Sequence, residues 1–305
     1  MFPIIAVPEA GGTSIEQLGT KEKFWYEDSK LGTCLCKVVR PYTGEDWSEK
    51  IAAELAEFLG LPHASYELAE WMQARCVVSP SFVPRLGALV LGNELLVQID
   101  PNYLRRVTRF KQSRHTVQAV SDAIHSASCT FPFGWVAPEG ILDAQDVFVG
   151  YLMLDALIGN TDRHHENWGL IQVSNPGLIV HYLAPTFDHA SSLGCHESDE
   201  VRLARLVTKD INYNVGAYSR RARSALYANP EDARPISPFD AFVQCAKMAT
   251  GAKYWLSRLD TLRAEVSDHI FEQVPASIMA EPARRFAKEL VGYNRAELLA
   301  YALTL

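Results

Sequence analysis

The feature that most constrains this chain is the run Ala156-Leu157-Ile158-Gly159-Asn160-Thr161-Asp162-Arg163-His164-His165-Glu166-Asn167-Trp168-Gly169, read together with Thr186-Phe187-Asp188-His189-Ala190-Ser191-Ser192. The run follows an apolar, helix-like stretch and sets Asp162 and Asn167 five positions apart, with Asp188 a further 21 positions on. Residues 170–173 and 178–181 read as short apolar strands around Ser174-Asn175-Pro176-Gly177, so a hairpin separates the two motifs. Phosphoryl transfer uses such a trio. One Asp takes or orients the proton of the accepting hydroxyl, while an Asn and a second Asp hold Mg2+. The expected chemistry is phosphotransfer from ATP, and that fixes what the rest of the chain must supply.

Phosphates need cover and positive charge, and the first third offers candidates for both. Gly11-Gly12-Thr13-Ser14 precedes Gly19-Thr20-Lys21-Glu22-Lys23, where glycines let backbone amides approach a phosphate and lysines add charge. A turn joining two strands would use the same glycines. Residues 32–40 read as a short apolar strand carrying Lys37, and an ammonium among uncharged neighbours needs a partner. Nucleotide phosphates would be one such partner; an edge open to water is the plain alternative. In 46–62, Ile51, Leu55, Phe58 and Leu59 recur at helical spacing, with Asp46 or Ser48 to cap the start and Gly60 and Pro62 to stop it. Glu49 either suits the dipole of the first turn or forms an ion pair with Lys37, and Glu54 and Glu57 are its rivals for that pairing.

Residues 74–79 and 87–97 return to β-like runs, with Gly92-Asn93 as a turn that is either a hairpin tip or the link between lobes. Residues 91–94 are the expected adenine contacts. Helical periodicity takes over from about 102, in 107–128, 144–158 and most of 239–305. A strand-rich part with one main helix followed by a helix-rich part implies an α+β fold in two lobes: a small β-rich N-lobe over 1–100 and a larger, mostly helical C-lobe over 101–305. The polar segment 196–223 ends in Arg220-Arg221-Ala222-Arg223, which serves as a solvated face or as a contact for an acidic partner. His164 is expected to brace the loop and His165 to face solvent. Adjacent histidines without HExxH spacing make a poor metal pair, so a metallohydrolase is disfavoured.

At 305 residues the chain can bury a sizeable core. Its net charge of −7 argues against binding that depends on neutralising nucleic-acid phosphates, so no direct nucleic-acid contact is expected. The longest greasy run, 147–159, is broken by Asp155 and is too short to span a bilayer. Met1-Phe2-Pro3-Ile4-Ile5-Ala6 lacks the basic start and apolar centre of a signal peptide. Six scattered cysteines suit reduced thiols, and the expected compartment is the cytoplasm.

Taken together, the order Gly19 to Lys23, strand Lys37, helix Glu49 with Leu55-Ala56 and Gly60-Leu61-Pro62, Asn160-Thr161-Asp162 to Asn167, and Ala184-Pro185-Thr186-Phe187-Asp188 resembles the HipA-like serine/threonine kinases. The resemblance covers roughly 10–300. It implies a bilobal protein-kinase-like fold, with ATP and Mg2+ as cofactors. It also implies Asp162 as catalytic base and Asn167 and Asp188 as metal ligands. Lys37 would hold the nucleotide phosphates, under a loop of Gly19, Thr20, Lys21 and Lys23. The family suggests a protein substrate such as an aminoacyl-tRNA synthetase or another translation factor, and a toxin-type setting with a small antitoxin-like partner chain. It further suggests autophosphorylation, for which Ser14 is the nearest serine to the loop. HipA itself carries a further N-terminal subdomain that contacts its antitoxin, whereas this chain starts almost at the glycine loop. The run Asp162-Arg163-His164-His165-Glu166-Asn167 also resembles the DRHxxN loop of phosphoinositide lipid kinases, so a lipid acceptor and a nucleotide-binding pseudokinase are the alternatives.

Overall fold

The computed structural model describes residues 1–9, 14–15, 22–103, 112–175 and 177–305, with backbone alone at 14–15 and 175. The first part comprises β1 (Ile4–Ala6), β2 (Ser14–Ile15), β3 (Lys23–Asp28), β4 (Gly32–Val38), helix α1 (Glu45–Leu59), β5 (Glu67–Trp71) and β6 (Ala74–Pro80). Its six strands form one sheet in the order β1-β5-β6-β4-β3-β2, antiparallel except for the β1–β5 pair. Alternation along β3 and β4 divides their faces. Phe24, Tyr26, Cys34 and Cys36 join Cys76 and Val78 in a small core. The intervening residues, Lys23 with Lys37 and Trp25 with Leu35, pair across the hairpin on the other face. Cys34 and Cys36, two apart on β4, thus share one face, and all six cysteines are free.

Helix α1 lies against this sheet and against the second part of the molecule, and its apolar stripe of Ile51, Leu55 and Leu59 is fully buried. Its start differs from expectation. The N-cap is Gly44, not Asp46 or Ser48, and no side chain caps it. Asp46 is instead buried in a forked ion pair with Arg75, and Ser48 bonds Ser192 Oγ at 2.8 Å. Gly60 ends the helix at φ 75°, as its position predicts.

The second part contains β7 (Gly87–Leu91), α2 (Gly92–Ile99), α3 (Val117–Ser126), α4 (Ala144–Ile158), β8 (Gly169–Asn175), β9 (Leu178–Leu183), α5 (Asp199–Val207), α6 (Val215–Arg221), α7 (Pro238–Ala246), α8 (Ala252–Thr261), α9 (Ala264–Glu272) and α10 (Glu281–Ala302). Every residue of α4 is buried, as befits a helix that is apolar all round, and α3, α7, α8 and α10 pack around it. The hairpin between the acidic motifs is β8–β9, and β7 joins it as a third strand.

Two expectations need correction. Residues 92–97 are the start of α2, not a turn and strand. The run Leu95-Leu96-Val97 is too short to reveal its period, and packing of Leu95 and Leu96 into the main core decides it. The helix expected over 107–128 begins at Val117, where Thr116 caps it by accepting from Ala119 N; residues 104–111 lie outside the described residues. Among the described residues, no helix is long and apolar enough to cross a membrane.

Candidate active site

The β3–β4 hairpin, β7 and the loop between α4 and β8 enclose a cavity of about 400 Å³. That volume is within the range of small-molecule sites. Its apolar lining includes Leu35, Phe82, Leu89, Leu91 and Phe187, with Phe82 and Phe187 stacked at 5.6 Å. Its charged and polar lining includes Lys23, Lys37, Asp162, Asn167 and Asp188. Lys23 and Lys37 are directly opposed across the hairpin, an arrangement that costs energy unless anionic charge lies nearby.

The loop that carries Asp162 is built on a buried ion pair. Gly159 closes α4 at φ 64°, and Asn160 folds back on the helix end, donating from Nδ2 to Asp155 Oδ1 at 2.8 Å. Arg163 is 1 % exposed and forks onto the same carboxylate, Nε to Oδ2 at 2.7 Å and Nη2 to Oδ1 at 2.8 Å. Burial opposes the guanidinium, but Asp155 outweighs it, so the Arg163 pKa rises. The remaining donors reach both motifs: Nη1 donates to Asn167 O at 2.5 Å and Nη2 to Thr186 Oγ1 at 2.9 Å. Asn167 Nδ2 donates to Asp162 O at 2.8 Å, which leaves Oδ1 as its other side-chain polar atom. The Asp162 side chain lines the cavity while its backbone carries these bonds.

His165 departs from expectation. It is 2 % exposed and lies inward, with Nδ1 2.6 Å from the Tyr103 hydroxyl. Beside it, His115 Nε2 accepts from Trp168 Nε1 at 3.0 Å, which requires a neutral imidazole. Burial, and then the neighbouring His165, push the His115 pKa down to about 3. His164 is also buried and accepts from Glu166 N at 3.1 Å, which braces the loop as expected.

Opposite the loop, Lys37 Nζ is 3.2 Å from Asp188 Oδ1, with side-chain exposures of 13 % and 36 %. Burial opposes the ammonium, yet Asp188, followed by Tyr66 and Glu49, raises its pKa above the usual lysine value. Asp188 has φ 60°, the left-handed region that an aspartate enters only when its surroundings hold it there. Its N–H donates to the Tyr66 hydroxyl at 3.1 Å.

Asp162, Asn167, Asp188, Lys37 and Lys23 therefore meet in one cavity. Glu49 does not join them. It is fully buried behind the cavity and accepts from His189 N at 2.6 Å, so the expected pairing with Lys37 is replaced by the Lys37–Asp188 pair. The rivals are elsewhere, Glu54 on Lys50 at 2.7 Å and Glu57 near His63 at 3.8 Å. Of 91–94, Leu91 and Glu94 line the cavity. Gly19, Thr20, Lys21 and the glycine pair at 11–12 lie outside the described residues, and Ser14 is described as backbone within β2. Sequence reading missed Asp155, Arg163, Tyr66 and His189. The signal for the first pair was present, since a lone carboxylate inside an apolar helix demands a buried cation.

No protein-family profile and no curated protein matches the sequence. Solved structures do match the fold. The Helicobacter pylori proinflammatory kinase CtkA aligns over 99 % of this chain and 99 % of its own, with TM-score 0.72 and 19 % identity. A chain of the Shewanella oneidensis MR-1 toxin–antitoxin complex of HipA, HipB and operator DNA aligns over 96 % of this chain and 66 % of that one, with TM-score 0.52 and 14 % identity. The fold is protein-kinase-like, with a β-sheet N-terminal region and a helical C-terminal part.

Proposed function

We propose that the chain is an ATP- and Mg2+-dependent kinase that passes the γ-phosphate to an alcohol group, in the first place a protein Ser or Thr hydroxyl. The observation that carries this reading is the meeting of Lys37, Asp188, Asn167 and Asp162 in one cavity that Leu35, Phe82, Leu89, Leu91 and Phe187 also line. The apolar side chains suit a purine and the paired lysines suit phosphates. The donor set also fits Mg2+, which takes oxygen ligands from one or two carboxylates and completes its shell with phosphates and water. Asp188 and Asn167 Oδ1 would hold it, and when bound it neutralises charge on the transferring group.

The work of the protein is positioning. Lys37, paired here with Asp188, would hold phosphate oxygens, and Asp188 would hold the metal. Asp162 orients the acceptor hydroxyl and takes its proton. The Asp155–Arg163 fork fixes the loop so that Asp162 and Asn167 keep their separation.

In this reading the six-stranded sheet with α1 and the helix-rich part act as the two lobes, with β7 and α2 belonging to the second although they fall within 1–100, and the cytoplasm is the working compartment. The acceptor class, an aminoacyl-tRNA synthetase or other translation factor, and a small antitoxin-like partner chain follow from the resemblance to HipA-like kinases. The complex of HipA with HipB and operator DNA illustrates that setting for the neighbour.

The test is intact mass after incubation with Mg-ATP, for wild type and Asp162→Ala, with a general protein acceptor and phosphoinositide vesicles as separate arms. Phosphate-sized gains on protein in the wild type alone are expected. Transfer confined to the vesicles would favour the lipid alternative. Binding of ATP with no transfer in any arm would favour a pseudokinase. Peptide mapping of wild type decides Ser14, and an unmodified Ser14 in active protein removes it as an autophosphorylation site.

A further inference from the structure

Two consecutive backbone N–H groups at the turn bearing Asp188 are held by side chains from the β-rich part of the molecule. Asp188 N donates to the Tyr66 hydroxyl at 3.1 Å and His189 N donates to Glu49 Oε1 at 2.6 Å. Because Asp188 sits at φ 60°, its conformation depends on restraints of this kind. His189 extends them. Its Nε2 lies 2.8 Å from Thr186 Oγ1, and Thr186 Oγ1 accepts from Arg163 Nη2 at 2.9 Å. His189 also presents its second ring nitrogen to α1. Nδ1 faces Glu49 Oε1 at 3.6 Å. Arg163 donates on to Asn167 O at 2.5 Å. One buried chain thus runs from α1 to both residues assigned to the metal.

Two atoms of this chain are buried without a hydrogen bond, His189 Nδ1 and Glu49 Oε2. Buried polar atoms are rarely left so, and hydrogen bonds in an unliganded site commonly tighten when the ligand arrives. A small approach of α1 to the Asp188 turn would close the 3.6 Å gap between His189 Nδ1 and Glu49 Oε1.

We infer that Glu49 and Tyr66 are positioning residues for the metal carboxylate of Asp188, and that Glu49 also reaches the Asn167 loop through His189, Thr186 and Arg163. This rests on the ATP and Mg2+ reading and assigns Glu49 a role other than partner of the phosphate lysine. The two roles separate experimentally. A residue that orients the metal ligand controls what Mg2+ adds to ATP affinity. A residue that steadies Lys37 controls ATP affinity with or without metal.

The experiment titrates ATP with and without Mg2+ against wild type, Glu49→Leu, Glu49→Gln, Tyr66→Phe and Lys37→Ala, with thermal unfolding of each. For Glu49→Leu, metal-free affinity should stay within about threefold of wild type, while the gain from Mg2+ should fall roughly 10- to 100-fold, the usual cost of losing a residue that orients a metal ligand. Glu49→Gln keeps an oxygen for the His189 N–H and should retain most of the gain. Tyr66→Phe should fall in the direction of Glu49→Leu, and because it removes a single hydroxyl it decides the matter if Glu49→Leu does not fold. An unchanged Mg2+ gain in a folded Glu49→Leu, or in Tyr66→Phe, overturns the inference. Loss of metal-free affinity in Glu49→Leu matching Lys37→Ala, with the Mg2+ gain intact, overturns it too. Wild type that binds no ATP overturns the kinase reading itself, a result distinct from either.

Discussion

At the scale of single residues, the account separates side chains that touch the reaction from those that hold them. Asp162 belongs to the first group. Its backbone N and O carry hydrogen bonds to Asn160 and Asn167 that do not need the carboxylate, so removing the carboxylate should spare the fold. Asp162→Ala should lower phosphotransfer at least about 100-fold, the range for a lost general base, with unfolding free energy changed by about 0.5 kcal/mol or less. Near-full turnover in that variant would remove Asp162 from its role. Arg163 belongs to the second group. Asp155→Ala strands a guanidinium that is 1 % exposed, and removing one partner of such a pair costs about 3–5 kcal/mol. Urea denaturation measures it, and a loss under about 1 kcal/mol would show the fork to be expendable. Asp162, Asn167 and Asp188 were legible because their spacing is local and chemical. Glu49 was half legible: a helix glutamate either suiting the first-turn dipole or pairing with Lys37 was expected, but its partner is set by where Asp188 and His189 lie in space, which spacing does not encode.

At the scale of elements, helices with strong periodicity and clear stops were readable, and short apolar runs were not. Helix α4 follows the pattern at both ends, capped by Asp143 and closed by Gly159. Helix α2 does not, because its start is decided by a contact. A Cβ built on Gly92 would lie 2.2 Å from the Trp168 ring. Helix propensity alone would make Gly92→Ala stabilising by up to about 1 kcal/mol. Overpacking against a large buried ring costs about 1–3 kcal/mol, so the predicted net effect is destabilisation. A rise in unfolding free energy would show that Trp168 moves aside freely. Trp168 also ties this region to His115, and that link has a pH signature. The pKa of folded His115 is pushed down to about 3 by burial, below the ordinary histidine value. The unfolded chain therefore takes up the proton more readily. The stabilisation is complete above about pH 6.5 and is lost as pH falls toward 3, at about 1.4 kcal/mol per unit. Unfolding free energy measured between pH 7 and 5 should fall by about 2 kcal/mol from this group, and His115→Phe should lose that increment of slope.

At the scale of the whole molecule, the two-lobed arrangement was readable from a shift in pattern, strands around one helix and then helices around an apolar one. The sheet order was not, because pairing such as β1 with β5 brings together residues 64 positions apart in register. The arrangement matters because the cavity belongs to neither part alone. The β3–β4 hairpin contributes the lysines and the α4–β8 loop contributes Asp162 and Asn167, while Asp188 follows β9 and meets both. The most direct test of that shared site is a titration of ATP in the presence of Mg2+, on wild type, Lys37→Ala and Asp188→Ala. The account predicts one saturable site in wild type, weakened roughly tenfold or more by either substitution, as expected when a charge-assisted contact is removed. ATP binding that is indifferent to both substitutions, or no binding by folded wild type, would contradict it.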